Sequence, residues 1–288
     1  MATPPGGTIT IGGDLRVSRL GYGAMRITGP NVTGEPDDPE GVKRVLRRVF
    51  ELGITFIDTA DSYGPEVSER LIAETLHPYP DGLVIATKGG LTRTGREGPW
   101  PPDGRPEHLR EACEGSLRRL KLDRIDLYQL HRVDPKVPLE ESVGALAELR
   151  KEGKVRHVGL SNVSVDQLER AESIVPIVSV QNEYSVGNRS SEDVLEACES
   201  RSAPFLPWYP LEAGSLARPG GPLDRVAEAH RATPAQVALA WLLARSPVIL
   251  PIPGTSSVEH LEENVAATRL SLSDEELADL SDPVGGEQ

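Results

Sequence analysis

The chain has 288 residues, of which 38% are hydrophobic and 26% are charged. That balance excludes a disordered chain and a protein embedded in a membrane, and the longest apolar run, 237–244, is too short to span a bilayer. The formal net charge of −13 has the wrong sign for a protein that grips nucleic acid or anionic lipid over a broad surface. Any phosphate that it binds must therefore be bound locally.

The amino terminus and the two cysteines indicate the compartment. Residues 1–13 show no basic region followed by an apolar stretch, so no secretory signal is predicted and a cytoplasmic protein is expected. Cys113 and Cys198 each lie in a segment of helical character, without the spacing of a metal site or redox pair. We expect both to be reduced thiols in the core, and no metal site is predicted.

The predicted elements begin with a hairpin over 8–17, which turns at two glycines. Short runs rich in β-branched and apolar residues follow, separated by segments whose apolar residues recur with a helical period. Eight strands are predicted, over 20–23, 54–58, 83–88, 125–131, 155–160, 177–181, 204–208 and 248–253. Three helix starts carry the spacing of capping boxes, namely Ser164 with Gln167, Thr233 with Gln236, and Ser273 with Glu276.

Eight alternating strand and helix units favour one fold class. Because most of the strands are apolar on both faces, the sheet is predicted to be parallel and closed into a (β/α)8 TIM barrel, with the hairpin covering one end. A doubly wound open sheet is the alternative, but 21–26 lacks the third glycine of the G-x-G-x-x-G pattern. No linker or change in composition divides the chain, so 1–288 is predicted to be a single domain.

Ionisable side chains stand where several of these strands end. Asp58 ends the second strand, Tyr63 follows it, Lys88 ends the third and His131 ends the fourth. Active sites of such barrels lie at the carboxyl ends of the strands, so these four groups are expected to converge. Taken singly, each has a structural explanation, such as a loop cap, a surface ion pair or a core histidine.

Together the four groups describe a proton-transfer site. A lysine beside a tyrosine favours the phenolate and lowers a pKa that starts near ~10, while a paired carboxylate keeps the lysine charged. Tyr63 is therefore predicted to be a general acid with a lowered pKa. His131 is predicted to donate a hydrogen bond to a substrate oxygen and so to orient a carbonyl group.

Several motifs in chain order closely resemble the aldo-keto reductase superfamily. They are D-T-A-D-S-Y-G (58–64), A-T-K (86–88), S-L-R-R-L-K-L-D-R-I-D-L-Y-Q-L-H (116–131), G-L-S-N (159–162), Q-N-E-Y (181–184) and P-G-T-S-S-V-E-H-L-E-E-N (253–264). The resemblance implies a (β/α)8 barrel that binds NADP(H) and reduces aldehydes and ketones to alcohols. It also implies that Asp58, Tyr63, Lys88 and His131 are the catalytic tetrad.

The same resemblance implies a set of cofactor contacts. Ser161, Asn162 and Gln181 fall where the family binds the nicotinamide carboxamide, and Trp208 falls where an aromatic ring stacks on the nicotinamide. Asp58 is counted among the cofactor contacts as well. The resemblance further implies contacts to the pyrophosphate at Pro210, Leu211, Gly214, Ser215 and Leu216, to an anion at Gly254, Thr255, Ser256 and His260, and to the adenine at Glu263 and Asn264. Met25 and Arg26 follow the first strand and are predicted, from that position alone, to face either the pocket or the cofactor.

Two departures from the family pattern concern the adenosine 2′-phosphate. Where many members have a lysine after the proline of the last strand and an arginine six residues later, this chain has Gly254 and His260. The phosphate is then expected to be held by Thr255, Ser256, the helix amino terminus and a cationic His260. The resemblance implies NADPH as cofactor, and the missing cations imply weakened discrimination against NADH.

The substrate side and the rival functions are less defined by sequence. Tyr22 and Trp100, with His131, are the candidate substrate contacts; Trp100 lies in the loop 91–105, where it either walls the pocket or anchors the loop. One rival function is a non-catalytic NADP(H)-binding regulatory subunit resembling potassium-channel β-subunits. A second is an aldolase that uses Lys88 as a Schiff-base nucleophile.

Overall fold

Helices and strands alternate along the computed structural model, which describes residues 3–93, 95, 98–211 and 223–281. The strands are β1 Thr8–Ile11, β2 Leu15–Ser18, β3 Tyr22–Gly23, β4 Phe56–Asp58, β5 Val84–Gly89, β6 Ile125–Leu130, β7 Val155–Ser161 and β8 Ile177–Gln181. The helices are α1 Pro39–Glu51, α2 Val67–Leu76, α3 Pro106–Leu120, α4 Leu139–Lys151, α5 Val165–Glu172, α6 Glu192–Arg201, α7 Asp224–His230, α8 Pro234–Arg245, α9 Val258–Ala267 and α10 Asp274–Ser281. Two 3-10 turns, Ala24–Ile27 and Pro30–Val32, follow β3.

Strands β3 to β8 form one parallel sheet in sequence order. Two further extended segments continue it, because Val180 bridges Phe205 and Phe205 bridges Ile249, both in parallel. The sheet then closes on itself, since the Gly21 amide donates to the Pro251 carbonyl at 2.9 Å. The prediction of a (β/α)8 barrel is confirmed, and a closed sheet excludes the open doubly wound alternative.

The amino-terminal end of the barrel is filled by the predicted hairpin. β1 and β2 pair antiparallel, with Ile11 opposite Leu15 across the turn. The apolar face of the hairpin, which includes Val17, packs in one cluster with side chains from the strands and extended segments, among them Phe56, Val84, Leu127, Leu206 and Leu250. Burying this face inside the barrel removes it from water and leaves the opposite, carboxyl-terminal end to carry the cavity.

The helices begin where the sequence predicts. The capping boxes at the starts of α5 and α8 have both reciprocal hydrogen bonds, from Ser164 with Gln167 and from Thr233 with Gln236. At α10, the Ser273 amide donates to Glu276 and the Glu276 amide donates to the Ser273 hydroxyl. Each pair satisfies backbone donors that the first turn of a helix leaves open.

The helices form the outer layer and turn one apolar stripe inward. On α1 the buried side chains are Val42, Val45, Leu46 and Val49, spaced as a 3.6-residue period requires. Cys113 on α3 and Cys198 on α6 are free and buried, and burial raises the pKa of both thiols to about 12. No helix in the described part of the chain is both long and apolar enough to span a membrane.

Candidate active site

One large cavity, of about 1460 Å³, lies at the carboxyl-terminal end of the barrel strands. Asp58 is the last residue of β4, His131 directly follows β6, and Ser161 and Gln181 end β7 and β8. All four line the cavity, as does Tyr63 in the loop after β4. Parallel strands end at the same rim, which is why residues distant in sequence meet here.

Lys88 lies beneath the cavity and is fully buried. Its ammonium group donates to Asp58 Oδ2 at 2.6 Å, to the Thr59 carbonyl at 2.9 Å and to Tyr63 Oη at 3.4 Å. These three contacts engage all three protons of the ammonium group. The buried ion pair with Asp58 thereby keeps the lysine charge next to the Tyr63 hydroxyl.

The other carboxylate oxygen of Asp58 accepts hydrogen bonds from two strands that are not adjacent to β4 in the sheet. Gln129 on β6 donates its side-chain amide to Asp58 Oδ1 at 3.1 Å, and Gln181 on β8 donates to the same oxygen at 2.9 Å. A buried carboxylate is tolerated when opposite charge and hydrogen bonds replace its hydration. Asp58 receives both, so its position in the site is fixed from three strands.

The protonation states follow from burial and charge. Burial by itself lowers the pKa of Lys88, but the charge of Asp58 and the hydrogen bonds outweigh it, so the pKa is raised and the lysine stays cationic. Burial raises the pKa of Tyr63, and the Lys88 charge opposes that rise without reversing it. The prediction of a lowered Tyr63 pKa is therefore wrong for the protein without ligand, because desolvation of the phenolate exceeds the attraction of the lysine.

His131 stands over the phenol and is uncharged. Its ring lies 5.8 Å from the Tyr63 ring, centroid to centroid, at an interplanar angle of 81°. Burial, followed by the charge of Lys88, holds the pKa of His131 well below its ordinary value. Ser62 Oγ lies 3.4 Å from His131 Nδ1. A neutral imidazole carries one N–H, so it can donate a hydrogen bond to a neutral oxygen.

Asn162 joins the two sides of the cavity wall next to this group. Its amide nitrogen donates to the His131 carbonyl and to Ser161 Oγ, each at 3.0 Å, and its oxygen accepts from the Trp208 indole at 3.1 Å. The residue has a φ of +58°, a left-handed conformation that asparagine adopts more readily than most residues. Three side-chain hydrogen bonds thus stabilise Asn162 in this left-handed conformation.

The opposite end of the cavity is formed by the segment that leads into α9. Ser257 caps this helix by accepting the His260 amide, and the Ser257 amide donates to Thr255 Oγ1. The predicted adenosine contacts all line the cavity: Gly254, Thr255, Ser256, His260, Glu263 and Asn264. A helix amino terminus carries positive partial charge and exposed N–H groups, which favour an anion.

Most of the remaining predicted residues also line the cavity. These are Met25, Arg26, Asn162, Trp100, Trp208, Pro210 and Leu211. The Trp100 ring lies 6.4 Å from the Tyr63 ring in an edge arrangement. Of its two predicted positions, Trp100 therefore has the one in the pocket wall. The predicted contacts Gly214, Ser215 and Leu216 lie outside the described residues, as do residues 94, 96 and 97 of the loop 91–105.

Tyr22 is not where the sequence analysis expected it. Its side chain is fully buried, and its hydroxyl donates to the Thr255 carbonyl at 2.5 Å. Tyr22 is therefore part of the seam between the first and last barrel strands, and it does not reach the cavity. Gln129 was missed, although its position two residues before His131 places both side chains on the same face of β6.

The site defines a class of protein: a (β/α)8 barrel with a buried lysine, a carboxylate, a phenol and a neutral imidazole at one rim. The model of the aldo/keto reductase family matches residues 19–282. An uncharacterized oxidoreductase of Schizosaccharomyces pombe is 53% identical over 276 residues, which cover 96% of this chain and 89% of that protein. Pyridoxine 4-dehydrogenase of Escherichia coli is 45% identical over 279 residues, covering 95% of this chain and 96% of that one.

Solved structures agree with the sequence relatives. A glycerol dehydrogenase from Gluconobacter oxydans has a TM-score of 0.86 and 28% identity, covering 100% of this chain and 99% of that one. An aldo/keto reductase from Klebsiella pneumoniae, in complex with NADP and acetate, has a TM-score of 0.80 and 28% identity, covering 100% and 98%. The chain belongs to the aldo/keto reductase family, and the protein is an oxidoreductase.

Proposed function

We propose that this enzyme reduces aldehydes or ketones to alcohols with NADPH, and that Tyr63 donates the proton. The observation that carries the proposal is the Lys88 ammonium group, which bridges Asp58 Oδ2 and Tyr63 Oη at the base of the cavity. When bound, the reduced nicotinamide supplies a hydride to the carbonyl carbon. The carbonyl oxygen then needs a proton, and Tyr63 is the acidic O–H group aimed into the cavity.

The raised pKa of Tyr63 agrees with this role. A phenol whose pKa is raised keeps its proton at neutral pH, so the donor is present in its protonated form before the reaction. The adjacent Lys88 charge stabilises the phenolate that remains after proton transfer. Neutral His131 donates an N–H hydrogen bond to the carbonyl oxygen and orients it toward the phenol.

The cavity is suited to a dinucleotide together with a small substrate. Its volume of about 1460 Å³ exceeds the roughly 300–1,000 Å³ of a pocket for a drug-sized ligand. At the end beside the tetrad, Ser161, Asn162 and Gln181 offer amide and hydroxyl groups to the nicotinamide carboxamide, and Trp208 offers an aromatic wall. At the far end, the start of α9 offers N–H groups to a phosphate. The Klebsiella pneumoniae relative is solved with NADP, which supports the same cofactor here.

The preference for NADPH over NADH is assigned to the start of α9. Ser256 and His260 are both exposed and both line the cavity, so each can contact an adenosine 2′-phosphate. The Ser256 hydroxyl and a His260 ring N–H are both donors that suit a phosphate oxygen. Ser256→Ala and His260→Ala are each expected to lower the NADPH to NADH ratio of kcat/KM; a ratio unchanged in both variants would contradict this assignment.

The test of the proposed reaction is the initial rate of NADPH oxidation with a reactive aromatic aldehyde. Pyridoxal is a second substrate to test, because the 45% identical relative is a pyridoxine 4-dehydrogenase. Tyr63→Phe is expected to lower kcat at least roughly a hundredfold, the usual scale of general acid catalysis. Tyr79→Phe is the matched control: its hydroxyl donates to the Leu120 carbonyl and it does not line the cavity.

Two results would contradict the proposal. Turnover that is equal in Tyr63→Phe and Tyr79→Phe would remove the phenol from the reaction. Tight NADPH binding by the unaltered protein without turnover of any carbonyl compound would instead indicate the non-catalytic regulatory function.

A further inference from the structure

The first and last barrel strands approach each other unusually closely at two glycines. A Cβ atom on Gly254 would lie 2.7 Å from the Gly23 carbonyl oxygen, and one on Gly23 would lie 2.5 Å from the Ile252 carbonyl oxygen. Both distances are shorter than real Cβ contacts, and both partners are backbone atoms held by the barrel closure. Position 254 therefore cannot carry a side chain without displacing the seam.

The space beside Gly254 belongs to an arginine from the other side of the seam. Arg26, in the 3-10 turn Ala24–Ile27, places its Cγ 3.5 Å from where a Cβ on Gly254 would be. Its side chain lines the cavity and is exposed. The Arg26 side chain, from the turn that follows β3, thus forms part of the cavity wall beside Gly254, which contributes only backbone atoms.

The Arg26 guanidinium lines the cavity beside Gly254 and has no carboxylate partner among the described residues. The chain has 44 acidic against 31 basic residues, and many arginines, among them Arg70, Arg119 and Arg156, pair with a carboxylate. Arg26 makes no ion pair and no side-chain hydrogen bond within the described part of the chain. Its five N–H donors are therefore unengaged among the described residues, and a guanidinium has the fork geometry that matches a phosphate group.

We propose that Arg26 is the cation that binds a phosphate group of the dinucleotide, supplied across the seam where Gly254 offers no side chain. The inference rests on the proposed function, since it concerns the cofactor of that reaction. NADPH carries two phosphate groups that Arg26 could bind, the pyrophosphate and the adenosine 2′-phosphate. NADH carries only the pyrophosphate, so a comparison of the two cofactors shows which of the two groups Arg26 binds.

The experiment measures the Kd of NADPH and of NADH for the protein without substrate, by quenching of tryptophan fluorescence. Arg26→Ala is expected to weaken binding of NADPH about tenfold to a hundredfold, the scale of a charge-assisted hydrogen bond. Arg26→Lys keeps the charge and is expected to recover most of the loss. Arg47→Ala is the matched control, because Arg47 is an exposed arginine on α1 outside the cavity lining.

The two cofactors assign the phosphate. Weakening confined to NADPH places Arg26 at the 2′-phosphate, and equal weakening of NADPH and NADH places it at the pyrophosphate. An unchanged Kd for both cofactors in Arg26→Ala overturns the proposal, and so does an equal loss in Arg47→Ala, which would reflect net charge alone. If the unaltered protein binds neither cofactor, the proposed function itself fails, a result that the Arg26 variants cannot produce.

Discussion

At the amino-terminal end of the barrel, Ile11, Leu15 and Val17 fill the interior with apolar side chains, whereas at the carboxyl-terminal end Asp58 and Lys88 lie buried beneath a large cavity. Both ends are made from the same strands, and the named side chains are buried at both ends. The first gains free energy by removing apolar area from water. The second must balance the cost of desolvating charges with ion pairing and hydrogen bonds.

The charged groups of the two ends differ in the same way. At the amino-terminal end, Asp14 pairs with Arg156 at 2.7 Å and with His157 at 2.6 Å, but its side chain is 49% exposed. At the carboxyl-terminal end, the side chains of Lys88 and Asp58 are 0% and 3% exposed. Exposed pairs contribute little to stability, while breaking a buried pair is costly. The comparison teaches that apolar packing stabilises the amino-terminal end of the barrel, whereas the carboxyl-terminal end depends on the pairing of its buried charges.

The largest expected effect is that of Lys88→Met. It removes the cation and leaves the Asp58 carboxylate buried without its partner, which should cost about 3–5 kcal/mol of the free energy of unfolding. It should also lower kcat at least roughly a hundredfold, because the phenolate loses its stabilising charge. Urea unfolding and the pH profile of kcat measure the two effects.

A double variant separates stability from catalysis at this site. Adding Asp58→Asn to Lys88→Met removes the unpaired charge, so much of the lost stability should return while kcat stays as low as in Lys88→Met. The outcome that contradicts this account is a double variant less stable than Lys88→Met alone. In that case the ion pair would not be what holds this end of the barrel.

At the amino-terminal end of the barrel, Ile11→Ala is expected to lower stability without changing activity. Ile11 is fully buried in the hairpin, and truncating a buried isoleucine to alanine costs about 2–5 kcal/mol. Below the unfolding temperature, kcat should stay within about twofold, because Ile11 is not among the residues that line the cavity. Ile174→Ala is the control, since that side chain is 37% exposed. A kcat loss as large as that of Lys88→Met would remove the distinction between the two ends.

The smallest expected effect concerns Asp61, beside the tetrad. One of its carboxylate oxygens is buried without a hydrogen-bond partner among the described residues. Burial, followed by the charge of Glu69, raises the pKa of Asp61 to about 8. Because the folded state then holds the proton more tightly than the unfolded state, stability falls as the pH rises from about 4 to about 8.

Asp61→Asn removes this titration. Relative to the unaltered protein, the variant should show no difference in stability near pH 4 and a growing advantage toward pH 8. Because Asp61 is only half-buried, solvent screening should keep the slope difference to a small fraction of its upper limit of about 1.4 kcal/mol per pH unit. Parallel urea titrations at pH 4, 6 and 8 measure it, and coincident profiles for the two proteins would show that Asp61 is not protonated in the fold.

Much of the fold and of the site could be predicted because both depend on local pattern. Strand ends, capping boxes and the glycine turn of the hairpin are set by neighbours in sequence, and the structure has them at or near the predicted residues. The convergence of Asp58, Tyr63, Lys88 and His131 followed from their positions at the ends of parallel strands.

Other features could not be predicted because they depend on distances across the barrel. The Tyr22 side chain points toward the seam and not into the cavity, and its hydroxyl donates to the Thr255 carbonyl, 233 residues away in sequence. The direction of the Tyr63 pKa depends on how completely the phenol is removed from water, which no local pattern contains. The engagement of Gln129 with Asp58 required the register of β6 against its neighbours.

The sequence by itself determined which chemical groups stand at the strand ends, since periodicity and motif spacing are local properties of the chain. Only the tertiary structure decided which of these groups touch, how far each is withdrawn from water, and which side of the seam supplies a side chain. Gly254 and Arg26 are the clearest case: each is unremarkable in sequence, and the closing of the barrel leaves room for just one side chain between them.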